Sequence, residues 1–103
     1  MIVKQGDAYL VPIELSMNGL PISEKDIASI EVYFGDLRKT YPDEVSYQDG
    51  VLYYPLTQEE TFAMKEEETT FVDIRVKFAG GNCIGIPEKL PVSIADAVST
   101  EVL

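Results

Sequence analysis

Apolar and polar residues alternate with period two along much of this chain. Val72, Ile74, Val76 and Phe78 fall on one side of a segment whose other side carries Asp73, Arg75 and Lys77. That is the pattern of a strand with one face on a core and one in water. Gly80-Gly81-Asn82 follows and can supply the positive φ angles of a tight hairpin, after which residues 83–86 restart an apolar run. Tyr9, Val11, Ile13 and Leu15 alternate in the same way, with Pro12 on the opposite face. A proline cannot donate to a ladder, so this strand lies at a sheet edge or pairs on one side only near Pro12.

The remaining elements are punctuated by turns. Residues 2–4 form a short strand before a break at Gly6-Asp7. Asn18-Gly19 marks a turn, and Ser23 with Asp26 reads as an N-capped helical turn leading into a strand that starts near Ala28 and ends at Phe34. Residues 37–41 make a short polar strand, and Asp49-Gly50 joins strands 45–48 and 51–54 as a type I′ hairpin. Thr57 and Glu60 have the spacing of a capping box and predict a short helix over 57–64, followed by an acidic loop at Glu66-Glu67-Glu68. Residues 90–98 close the chain's pattern, with Val92, Ile94 and Val98 on one face of a last strand. About seven or eight short strands with turns between them specify an all-β antiparallel fold, either a sandwich or a Greek-key barrel. A length of 103 residues fits a single domain, 1–103.

Charge and composition then remove whole classes of function. The chain carries 18 acidic and 8 basic residues, a net charge of −10. Such a surface repels phosphate backbones, so no nucleic-acid partner is expected, and it limits self-association. No apolar run is long enough for a membrane span and none resembles a leader, which points to a cytoplasmic protein as synthesised. Histidine is absent and Cys83 is the lone cysteine. That excludes histidine-based triads, the usual zinc sites and an internal disulfide. The acidic pairs Asp43-Glu44 and Glu59-Glu60 match no calcium loop and read as solvated surface. Gly80-Gly81 precedes no helix and lacks a phosphate-loop lysine. No cofactor motif, metal site or catalytic constellation emerges, and the expectation is a protein that is not an enzyme.

The candidate functional residues are aromatic. Tyr41, Tyr47, Tyr53 and Tyr54 lie on or beside one hairpin. Exposed rings on a sheet anchor protein interfaces or stack on sugars, whereas buried ones simply stabilise the hairpin.

Several short motifs recur here in a familiar order. They are Gly6-Asp7, then Asn18-Gly19-Leu20-Pro21-Ile22, then D-I-x-x-I-E-V-x-F from Asp26 to Phe34 and Asp49-Gly50-x-x-Tyr53. L-T-Q-E-E-T from Leu56 to Thr61 and V-D-I-R-V-K-F-x-G-G from Val72 to Gly81 complete the series. In this order they resemble the small immunoglobulin-like structural proteins of tailed phages and prophages of Gram-positive bacteria, similar in plan to the N-terminal module of phage baseplate upper proteins. The resemblance implies an immunoglobulin-like sandwich of about seven strands with one or two helical turns. It also implies a role in the virion, in the tail or baseplate or head-tail region, with other virion or assembly proteins, or further copies of the chain on assembly, as partners and no catalytic residues. Docking would use a tyrosine-bearing face or strand addition at a sheet edge. Because Pro12 blunts its own edge, the edge near the C-terminal strand is the expected site. A carbohydrate- or ligand-binding module using the tyrosine face is the alternative.

Overall fold

A computed structural model describes residues 1–65, 69–87 and 89–103. The expected acidic loop at Glu66-Glu67-Glu68 lies outside the described residues. Among the described residues there are eleven strands and one short α-helix: β1 (Ile2–Lys4), β2 (Tyr9–Glu14), β3 (Ser16–Met17), β4 (Leu20–Pro21), β5 (Ile27–Phe34), β6 (Leu37–Tyr41), β7 (Ser46–Gln48), β8 (Val51–Leu56), α1 (Gln58–Phe62), β9 (Thr69–Phe78), β10 (Cys83–Gly85) and β11 (Leu90–Ala95).

These strands form two principal sheets. The larger runs β1-β11-β9-β5-β6, with β10 also paired to β9, and the smaller runs β2-β8-β7. All pairings are antiparallel except that of β1 with β11. Chain order crosses repeatedly between the sheets, placing the second, seventh and eighth strands together and the fifth, sixth, ninth and eleventh opposite. This is the layout of an immunoglobulin-like sandwich. The β8–α1–β9 segment carries the chain from one sheet to the other.

Alternation sets the core. Val11, Ile13, Leu52, Tyr54 and Leu56 from the smaller sheet face Ile30, Val32, Phe34, Val72, Ile74, Val76, Val92 and Ile94 from the larger, all buried. The Phe34 and Tyr54 rings stack across the gap with centroids 5.5 Å apart. Pro12 sits on β2, an edge strand paired only to β8, as its missing donor demands.

The hairpins follow their turn residues. Asn18 and Gly19 adopt φ of 53° and 79° between β3 and β4, and Asp49 and Gly50 adopt 52° and 80° between β7 and β8, the paired positive angles of type I′. At Thr57 the capping box closes: its hydroxyl accepts from the Glu60 amide at 3.1 Å, and the Glu60 carboxylate accepts from the Thr57 amide at 2.9 Å.

Several expectations need correction. The helix after Thr57 is one short stretch, Gln58–Phe62, rather than 57–64. Ser23 precedes a 3₁₀ turn, Glu24–Asp26, but makes no side-chain cap; the turn is held by the Asp26 amide donating to the Ser23 carbonyl at 3.0 Å. The last strand stops at Ala95, and Val98 is fully exposed. The C-terminal strand is not itself a free edge, because β1 runs parallel to it along Ser93, Ile94 and Ala95. Further along that margin, β10 has no strand on its outer side among the described residues.

Candidate interaction surfaces

The two sheets turn very different faces to solvent. On the β2-β8-β7 sheet, the residues opposite in phase to the core are Leu10, Pro12, Glu14, Ser46, Gln48, Val51, Tyr53 and Pro55. Glu14 is the one charged side chain among them. Leu10, 57% exposed, lies beside Pro55, and Pro12 lies beside Tyr53. On the larger sheet the outward residues include Lys4, Glu31, Tyr33, Arg38, Phe71, Asp73, Arg75 and Lys77. Arg38 donates to Glu31 at 2.8 Å, and its pKa is raised chiefly by that hydrogen bond. Tyr33 and Phe71 supply exposed ring surface on this face.

The tyrosines singled out from sequence do not assemble into one patch. Tyr54 is fully buried, and its hydroxyl donates to the Leu37 carbonyl at 2.6 Å. Burial pushes its phenol well above the usual tyrosine range, and the nearby Glu60 and Glu44 carboxylates add to this. Tyr47 is buried too and donates to the Ile22 carbonyl. Its pKa is raised by burial and by Glu24. Tyr41 is half-buried, edge-on to Tyr47 with ring centroids 6.4 Å apart. Tyr53 alone of this group projects from the weakly charged face, half-buried. The signal for this division was present in the sequence: Tyr54 shares the phase of Leu52 and Leu56, and Tyr47 that of Val45.

A polar contact that sequence reasoning missed joins the sheets. Lys39, on β6, points inward, and its ammonium lies 2.9 Å from Glu60 Oε1 and donates to the Pro55 carbonyl at 2.6 Å. The same ammonium lies 5.2 Å from the centre of the Tyr54 ring. Burial alone would raise the Glu60 carboxyl pKa. Hydrogen bonds from Lys39 and the Thr57 amide outweigh that and hold it below its ordinary 4.5.

Two of the depressions among the described residues bear on the surface. One, of about 720 Å³, opens between the Gly35-Asp36 turn, α1 and β11, with Phe34, Leu37, Met64 and Ile94 among its apolar walls. The other, of about 400 Å³, lies on the outer face of the larger sheet and gathers Arg38, Arg75, Lys77 and Cys83 together with the carboxylates of Glu31 and Asp43. Cys83 is exposed. Among the described residues no cluster of three or more Cys, Asp or Glu side chains converges as a metal site. No helix among them is long and apolar enough to cross a membrane.

No protein-family model matches the chain, and no curated protein matches it. Among solved structures, the first immunoglobulin-like domain of human CD48 antigen, a solution structure, aligns over 100% of this chain and 86% of that one. Identity is 18% and the TM-score is 0.46.

Proposed function

We propose that the chain is a non-enzymatic structural or assembly protein of a tailed phage or prophage particle, acting as a protein–protein interaction module in the tail, baseplate or head-tail region. The observation that carries an interaction role is the outer face of the β2-β8-β7 sheet. In a chain of net charge −10, it exposes Leu10, Pro12, Tyr53 and Pro55 around a single carboxylate, Glu14. Charge-poor cores with aromatic anchors distinguish interfaces from ordinary surface. The phage assignment is supported by the order of short motifs along the chain. The acidic remainder keeps free copies apart by like-charge repulsion until they meet their partners.

The carbohydrate alternative gains no support from the tyrosines. Stacking on a sugar needs accessible rings on one face, whereas Tyr47 and Tyr54 are in the core and Tyr41 and Tyr53 point to different parts of the molecule.

Deleting the gene from the strain that encodes it, inducing particles and imaging them by negative stain tests this reading. Particles with incomplete tails or tail tips, repaired by adding the purified chain, are the expected result. Morphologically complete and infectious particles would overturn it.

A further inference from the structure

We propose that the outer edge of β10 binds an extended acidic segment of a partner protein by strand addition, with Arg75 and Lys77 contacting its carboxylates. The inference rests on the interaction-module reading and names the kind of partner and the place where it docks.

β10 pairs with β9 on one side only, and β1 covers the same margin no further than Ser93, Ile94 and Ala95. The hydrogen-bond phase fixes which groups are free. The Phe78 amide donates to the Asn82 carbonyl and the Ile86 amide donates to the Ile74 carbonyl, both at 2.8 Å. The even-numbered residues therefore turn their backbone groups toward β9. Cys83 and Gly85 turn theirs outward, where an added strand would pair with them.

The side chains beside this edge are suited to an acidic strand. Gly85 lies opposite Arg75 and Cys83 opposite Lys77. A Cβ at Gly85 would lie 3.7 Å from Arg75 Nη2, so the guanidinium already extends over the glycine toward the open margin. The small residues of β10 leave room for both cations to reach a strand laid beside it. The ion pairs among the described residues are Arg38–Glu31 and Lys39–Glu60, neither of which involves Arg75 or Lys77. An acidic segment thus finds cations here and repulsion over most of the remaining surface.

Three other edges, those of β6, β2 and β7, are less receptive. The outward groups of Thr40 on β6 are taken: its amide and hydroxyl donate to the Glu44 carboxylate, and its carbonyl accepts from the Glu44 and Val45 amides. β2 carries Pro12, which has no donor. On the side of β7, the Asp49 amide donates to Glu24.

The test is an amide NMR titration with an eight-residue peptide alternating threonine and glutamate, beside a control alternating threonine and lysine. The expected result is shift changes and slowed hydrogen exchange at Cys83 and Gly85 with the glutamate peptide only. Arg75→Glu should weaken binding by roughly tenfold. Gly85→Pro should abolish it, because proline removes the outward donor while leaving the face toward β9 intact. Equal binding of the lysine peptide, protection confined to another edge, or no binding at millimolar peptide would each overturn the proposal. A folded Gly85→Pro chain that still incorporates fully into particles would overturn the edge assignment and leave the particle role standing. A wild-type chain that binds the peptide but never enters particles would overturn the particle role alone.

Discussion

Lys39 and Glu60 bridge the two sheets of the sandwich: the ammonium sits 2.9 Å from the carboxylate and 2.6 Å from the Pro55 carbonyl. One partner comes from the polar strand β6 and the other from the capping box of α1, so a single contact ties the sheet-to-sheet crossing to the edge of the larger sheet. The Lys39 side chain is only 11% exposed and that of Glu60 22%. Removing one member therefore strands a mostly buried charge. Lys39→Ala should cost about 2–3 kcal/mol, between the values for surface and buried pairs. Urea unfolding measures it. Lys39→Met, which keeps the stem over Tyr54, should cost less.

The pair also gives stability a pH dependence. Glu60 has a folded pKa below its ordinary 4.5. A depressed acid contributes stability that is present above the unfolded value and lost as pH falls through the folded one. The difference in unfolding free energy between wild type and Glu60→Gln should be constant near neutrality and shrink below about pH 4.5. Chemical denaturation across that range checks it. A difference that does not shrink would contradict the pairing.

At alkaline pH the sign reverses. Tyr54 and Tyr47 have raised pKa values, in both cases mainly from burial. For such groups the folded state holds its proton longer than the unfolded chain. Stability should therefore fall as pH rises above about 10. In a spectroscopic titration, these two phenols should ionise only as the protein unfolds.

The tyrosine substitutions separate fold from surface. Tyr54→Phe loses the hydrogen bond to Leu37 and should cost about 1 kcal/mol. Tyr54→Ala should cost roughly 3–5 kcal/mol by emptying the core. Tyr53→Ala should change stability by less than about 1 kcal/mol and, under the proposed interaction role, weaken attachment to the particle.

Gly50 is held at φ 80°, and a Cβ there would lie 2.8 Å from the Cβ of Pro21. Gly50→Ala should cost about 2 kcal/mol from the strained angle and the clash together. Gly80 has no neighbour within 4 Å of such a Cβ and no positive φ, so Gly80→Ala should be close to neutral. Paired thermal melts test the contrast.

Strand phase was legible because a half-buried strand leaves a period-two record, as Val72, Ile74 and Val76 illustrate. Turns were legible where only certain residues tolerate the backbone, as at Asn18-Gly19 and Asp49-Gly50. The inward course of Lys39 was not, since a lysine in a short polar strand reads as solvated until the opposite sheet brings Pro55 and Glu60 to it. The helical turn at Ser23 misled for a related reason: a capping residue type sits there, but backbone bonds alone hold the turn. The candidate surface was only partly legible. Adjacent Tyr53 and Tyr54 look alike in composition, yet one residue's shift in phase moves a ring from the core to solvent. The open β10 margin depends on where β1 stops, a relationship between the two ends of the chain that no local pattern records.

Quantitative mass spectrometry of gradient-purified particles from the encoding strain tests the central claim most directly. A fixed, integral copy number per particle, retained through high-salt washing, is the result expected of a structural interaction module. Absence from purified particles that contain every other tail component would contradict it.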